Sequence, residues 1–539
     1  MNQTPPAEGF QRRIVVAAAF CVAAFALVVV RLADVSLLHG GISGGAADTY
    51  HPIALRADMI DRNGKLLARD LPVQDLYARP HALWDKAQAA RDLSVATGAS
   101  VARLEHVFNS PRNYTLVERQ LSPDAQDRVM HLGLPGLDFQ LDGKRYYPEG
   151  RAAAQVIGVT DPDGKGVAGL EMGLEKRLRA GVPGEPVAQV RTSLDMRVQY
   201  ILAHEASVAK DEFNAKAAGG IVIDVNTGEV LAMMSLPDYD PNVRRLTDGD
   251  SARNVMAQDV YELGSVFKVF SFTLAMEDHT IGLDDMLPIG SGFRIGKWVI
   301  HDAEHMPAML TARDILAQSS NAGTAQIALR SGPERQKAFL AHMGLLSPVK
   351  TELPETAFPL YPKDWKLIQT ATVGFGHGIS VSPLSFATAA ATVVNGGRKI
   401  VPTFLKRDTD ARGEQLIKPE TSDTMRGLLR YVVTNGTGKL ADVPGYNVGG
   451  KTGSAEKNVA GHYVAHKLLT SFCAVFPVDH PRYIVFVLLD EPHGDKAQGV
   501  MALAGHTAAP VAGRVIARIA PLLGVPQEPV LAEAKETPQ

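Results

Sequence analysis

Ser265 and Lys268 stand three residues apart at the head of an apolar run of Val266, Phe267, Val269, Phe270, Phe272 and Leu274. A helix at this point sets the hydroxyl and the amine on one face. A serine hydroxyl is a weak nucleophile unless a base lies beside it. An ordinary lysine, with a pKa near 10.4, is neutral in only about one molecule in 2,500 at pH 7. Making this amine a base costs roughly 4 kcal/mol, which apolar burial and a second nearby cation can supply. The flanking phenylalanines and valines suit that demand. Gly264 leaves backbone space at the turn, and the helix start aims free N–H groups at a developing oxyanion.

The spacing alone does not select Ser265, because Ser207–Lys210, Ser347–Lys350 and Ser454–Lys457 repeat it. What selects it is the order of later segments: Ser319-Ser320-Asn321 and then Lys451-Thr452-Gly453. Ser319 can relay a proton, and the Asn321 amide can both donate to and accept from a substrate amide. Lys451 and Thr452, on an edge strand, offer a fixed cation and a hydroxyl to a carboxylate, and Gly453 lets backbone approach.

Two other patterns carry competing chemistry. Gly445–Thr452 matches the phosphate-loop pattern G-x-x-x-x-G-K-T, which needs a helix beginning at the lysine. Pro444, Gly453 and the polar Ser454–Asn458 oppose a helix there. His301-Asp302-Ala303-Glu304-His305 matches a zinc-peptidase pattern whose imidazoles share a face only on a helix. The strand-like Trp298–Ile300 before it and Pro307 after it read instead as a polar surface loop. The glycine spacing of Gly374-Phe375-Gly376-His377-Gly378 is wrong for a dinucleotide fingerprint, leaving a close-approach loop in which the role of His377 is open.

With 539 residues the chain has room for two or three domains. A net charge of −3 gives no general case for nucleic acid. The two cysteines, Cys21 and Cys473, provide no disulfide framework. Ile14–Val30 is an uncharged run between Arg12-Arg13 and Arg31, long enough for an uncleaved membrane anchor. The arginine pair favours a cytoplasmic N-terminus.

The expected organisation is a tail over 1–13, an anchor over 14–33, a Gly-rich linker over 34–50, a non-catalytic pedestal or dimerisation-type domain over 51–190, the catalytic domain over 191–525 and a disordered tail over 526–539. Asn63-Gly64 marks a hairpin turn, and Asn226-Thr227-Gly228 joins strands Gly220–Val225 and Glu229–Met234. Helices are predicted over Met196–Lys216, Thr311–Leu329 and Val511–Leu523, and strands over Ser471–Val478 and Tyr483–Leu489.

The ordered triple Ser-x-x-Lys, Ser-x-Asn, Lys-Thr-Gly is the signature of serine penicillin-binding proteins and class A β-lactamases. Asp61-Arg62-Asn63-Gly64, Arg145-Tyr146-Tyr147-Pro148, Gly169-Leu170-Glu171, Gly376–Pro383 and Gly436-Thr437-Gly438-Lys439 resemble the class B penicillin-binding proteins, membrane-anchored peptidoglycan D,D-transpeptidases. Tyr261–Lys268 is most similar to the septal, FtsI-like branch. An elongation-type transpeptidase and, from another class, a non-catalytic penicillin-binding scaffold or sensor are the alternatives.

The resemblance implies an α/β (α+β) penicillin-binding fold with a central antiparallel sheet flanked by helices, a pedestal and one transmembrane helix. It implies that Ser265 attacks a D-Ala-D-Ala bond with Lys268 as base, that Ser319 passes a proton to the leaving D-alanine, and that Asn321 orients the donor. Lys451 and Thr452 would hold the carboxylate, and the N–H groups of Ser265 and Ser454 would form the oxyanion hole beside Gly453. No metal or organic cofactor is implied. Implied partners are stem peptides, β-lactams as covalent inhibitors, a membrane-embedded glycan polymerase and other division proteins. The implied location is the inner membrane at the septum, with the catalytic domain in the periplasm. Thr351-Glu352-Leu353-Pro354 resembles the transpeptidase pattern rather than a β-lactamase deacylation site. Residues 51–190 are too short for a glycosyltransferase domain.

Overall fold

The computed structural model describes residues 16, 19, 22–29, 56–179, 189–243, 251–459, 462–494 and 502–528. The chain divides into Met1–Ala54 and a compact unit Leu55–Gln539. In the first, Val22–Val29 is helical. Among the described residues no helix is long and apolar enough to cross a membrane; the rest of the predicted Ile14–Val30 span lies outside them, as do the 34–50 linker and most of the C-terminal tail.

In the compact unit, strand β1 (Met59–Ile60) turns through Asn63-Gly64 into the long β2 (Leu66–Ala78). β2 also pairs antiparallel with β3 (Thr115–Leu121) and β4 (Leu137–Tyr146), and β1 pairs parallel with β5 (Val190–Arg191). Helices α1 (Lys86–Thr97), α2 (Val101–Phe108) and α3 (Pro123–His131) pack on this sheet. Asp85, Ser100 and Ser122 cap them, each side chain accepting a first-turn N–H. Leu76, Leu93, Leu104, Phe108, Val117 and Val129 form their core.

Below that core, Arg56, Arg145 and Glu171 form a buried ion network. Glu171, 0 % exposed, accepts from Arg56 at 2.8 Å and from Arg145 at 2.7 Å. Arg145 also reaches Asp70, and Arg56 reaches Glu175.

The second sheet runs in the order β8-β9-β10-β6-β7: β6 is Ala217–Asp224, β7 Val230–Leu236, β8 Gly449–Val459, β9 His462–Phe476 and β10 Tyr483–Asp490. Every pairing is antiparallel, as expected, and β8 is an edge strand. Successive strand residues alternate between faces. Ala218 and Val222 of β6 therefore join a core with α4 (Met196–Glu212) and the C-terminal helix Ala508–Leu522. Ile221 and Ile223 join the larger core with Phe270, Phe272, Phe386 and Phe486. All eight residues of β10 are buried, which accounts for its unbroken apolar run.

On that second face lies α5 (Lys268–Glu277), entered through a 3₁₀ turn at Gly264–Phe267. The expected single helix Thr311–Leu329 is instead two, α6 (Ala312–Ala317) and α7 (Asn321–Ser331). Ser319 breaks them with a left-handed φ of +64°, a conformation that residues other than glycine adopt only at a cost. Thr311 caps α6, its hydroxyl accepting from the Asp314 N–H. α8 (Pro383–Val394) and α9 (Pro419–Asn435) both begin on proline, whose missing N–H is harmless in a first turn.

Candidate active site

Three chain segments meet at the edge strand. The turn bearing Ser265 lies against β8: a Cβ added to Gly264, at φ +61°, would sit 2.9 Å from the Ser454 carbonyl oxygen. One added to Gly453 would come within 2.5 Å of the Leu263 oxygen. On the other side, a Cβ at Gly376 would fall 2.2 Å from the Gly264 oxygen. These glycines are what close backbone approach requires. Close approach was expected at Gly264, at Gly453 and in the Gly374–Gly378 loop, and all three glycine sites show it.

The helix break carries the polar centre. Lys451 Nζ donates to Ser319 Oγ at 2.9 Å, and Lys268 Nζ donates to the same oxygen at 3.2 Å and to the Ser319 carbonyl at 2.5 Å. A single hydroxyl thus bridges two amines, both 0 % exposed. Burial holds the Lys268 pKa well below a lysine's ordinary value; the Lys451 charge lowers it further, and Asp302 partly opposes the fall. Burial lowers Lys451 to about 7. Of the two sources that could tune the base, desolvation is the larger and the second cation the smaller.

Lys451 also donates to the Thr452 carbonyl and hydroxyl at 3.1 and 3.3 Å. Ser454 follows on the same strand, where its hydroxyl accepts from the Ala504 N–H. The structure therefore brings Lys268, Ser319 and Lys451 into hydrogen-bond contact, with Asn321 beginning α7 beside them. Ser265 Oγ has no hydrogen-bond partner among the described residues, whereas the spacing had suggested Lys268. The Lys268 amine is held by Ser319 instead, and such contacts commonly tighten only when substrate binds.

Asp302 was missed. Its carboxylate accepts from Ser320 Oγ at 2.8 Å, from the Ala322 N–H at 3.1 Å and from the Asn321 N–H. The negative charge sits at the first turn of α7 and satisfies N–H groups there. The His301–His305 segment is a loop, as expected, but one of its residues anchors the second motif. The only sequence signal was an acidic residue in a segment otherwise assigned to the surface.

His377 stacks on Tyr463 with ring centroids 4.4 Å apart, and its Nδ1 lies 3.4 Å from Glu262. Lys451 lies in a strand rather than at a helix start, which removes the structural context of a phosphate loop. Ser207 is inside α4. The predicted Glu352 pattern is structural: its carboxylate accepts from Thr403 and from the Phe404 N–H.

Two family models match the chain: the penicillin binding protein transpeptidase domain over residues 218–517 and the penicillin-binding protein dimerisation domain over 52–193. A probable peptidoglycan D,D-transpeptidase FtsI of Caulobacter vibrioides is 38 % identical over 516 residues, covering 93 % of this chain and 86 % of that one. Probable peptidoglycan D,D-transpeptidase PenA of Neisseria meningitidis is 32 % identical, covering 90 % and 87 %. The crystal structure of penicillin binding protein 3 from Mycobacterium tuberculosis, complexed with aztreonam, is similar with a TM-score of 0.69 at 25 % identity, covering 89 % and 98 %.

Proposed function

This chain belongs to the penicillin-binding protein transpeptidase family, and we propose that it crosslinks peptidoglycan stem peptides through an acyl-enzyme on Ser265. It is a serine-type peptidoglycan D,D-transpeptidase of the cell-division kind. The observation that supports the residue assignment is the pair of buried lysines held on the Ser319 hydroxyl.

Neutral Lys268 takes the Ser265 proton as Oγ attacks the carbonyl of the penultimate D-alanine. The Ser265 and Ser454 N–H groups receive the oxyanion. The C–N bond breaks, and Ser319 hands a proton, resupplied from the lysines, to the departing D-alanine. Asn321 orients the donor, while Lys451 and Thr452 hold its carboxylate. An amine of a neighbouring stem then attacks the ester, forming the new amide and returning the proton to Ser265. A β-lactam imitates the dipeptide and leaves a slowly released adduct. Residues 51–190 form the non-catalytic domain on which a membrane-embedded glycan polymerase and other division proteins dock. The Ile14–Val30 segment anchors the chain, with residues 191–525 catalysing on the periplasmic side.

Intact-mass measurement after exposure to penicillin tests the assignment. A persistent one-to-one adduct on Ser265, absent from Ser265→Ala, is expected; an adduct on Ser207, Ser347 or Ser454 would overturn it. The two amines also set a pH profile. Acylation of the free enzyme needs Lys268 neutral and Lys451 charged, so its second-order rate constant should rise as pH passes the depressed Lys268 value. It should fall again above about 7 as Lys451 loses its proton. A rate that kept climbing to the pKa of an ordinary lysine would contradict both roles.

A further inference from the structure

Gly436-Thr437-Gly438 follows α9 and touches both the end of α6, just before the second motif, and the third motif. The Thr437 N–H donates to the Ala317 carbonyl at 3.1 Å, two residues before Ser319. A Cβ at Gly436 would lie 2.3 Å from that same oxygen, and one at Gly505 2.7 Å from the Thr437 carbonyl, so the turn is seated tightly on both sides. Thr437 Oγ1 lies 2.6 Å from Thr452 Oγ1. Thr452 is buried, whereas Thr437 retains partial exposure.

A hydroxyl has one hydrogen and two acceptor lone pairs. Lys451 Nζ, when charged, can only donate, and it lies 3.3 Å from Thr452 Oγ1. If Thr452 spends its hydrogen on Thr437, it presents lone pairs to an arriving carboxylate and repels it. If Thr437 donates, the Thr452 hydrogen is left for the carboxylate. Only the second arrangement suits an anionic substrate end.

We propose that Thr437 is a positioning residue that sets the direction of the Thr452 hydroxyl toward the carboxylate of the donor stem or β-lactam. This rests on the reading above, in which Thr452 grips that carboxylate. Thr437 does not touch the reacting atoms; it acts through Thr452.

The test compares Thr437→Val and Thr437→Ser with wild type, using benzylpenicillin and its methyl ester as acylating probes. Without its Thr437 partner the Thr452 hydroxyl loses its fixed direction, and since a neutral hydrogen bond is worth about 1 kcal/mol, Thr437→Val should lower the acylation rate constant for the acid roughly fivefold. The rate for the neutral ester should hardly move, so the acid-over-ester preference shrinks. Thr437→Ser, which keeps the hydroxyl, should restore that preference. Equal losses on acid and ester, or no loss on either, would overturn the Thr437 assignment. The Ser265 assignment is read separately, from the position of the adduct in the wild-type protein.

Discussion

Lys268→Met is expected to slow acylation of Ser265 by roughly 10³-fold while leaving a folded protein that melts at or above the wild-type temperature. The two effects have separate causes. Removing the amine removes the base, and general-base contributions commonly run to about 10²–10⁴-fold. The same amine is fully buried with its pKa forced down, so the folded state bears the cost of desolvating it. A methionine of similar length relieves that cost. Against the relief stands the Ser319 carbonyl, which loses its 2.5 Å donor and a stabilisation of about 1–3 kcal/mol. Desolvating a lysine costs more than that, so stability should not collapse. Stopped-flow acylation with thermal melting of the same preparation checks both halves. Near-normal acylation by the variant would eliminate Lys268 as the base.

Glu171→Ala should be strongly destabilising. It would strand the guanidinium groups of Arg56 and Arg145, both buried, without the carboxylate that joins them. Removing one partner of a buried ion pair typically costs about 3–5 kcal/mol, because the surviving charge stays desolvated. Asp70 and Glu175 still touch the two arginines, so the lower part of that range is expected. Denaturant titration would measure it. A loss below about 1 kcal/mol would mean that the remaining carboxylates, or water, satisfy the arginines without Glu171.

The candidate site residues were legible because each sits in a short segment whose residue types suggest its chemistry. Ser265 with Lys268, Ser319 with Asn321, and Lys451 with Thr452 can be read without knowing what surrounds them. The strands were legible for a simpler reason: unbroken apolar runs such as Tyr483–Leu489 are buried on both faces. What could not be read was non-local. Asp302 lies 19 residues before the N–H group of Asn321 that it caps, and nothing near it in the chain marks it as a cap. The break at Ser319 was hidden for the opposite reason. Helical periodicity continues from α6 into α7, and the left-handed residue that breaks it carries the hydroxyl that meets two amines, a contact made only in the tertiary structure. The Thr437–Thr452 contact was likewise invisible, since it joins the end of a helix to a strand that the sequence presents as separate elements.

Because Gly449–Val459 is the outermost strand of its sheet, its outer margin has no strand partner among the described residues and presents amide and carbonyl groups at a fixed repeat along the chain. A guest lying along that margin is judged by whether its own main chain can run straight, and hardly by which side chains it carries. On the function proposed above, a stem peptide lying there would be selected for an extended main chain and not for its side chains. The scarce discriminating contacts are therefore left to the guest's terminal group.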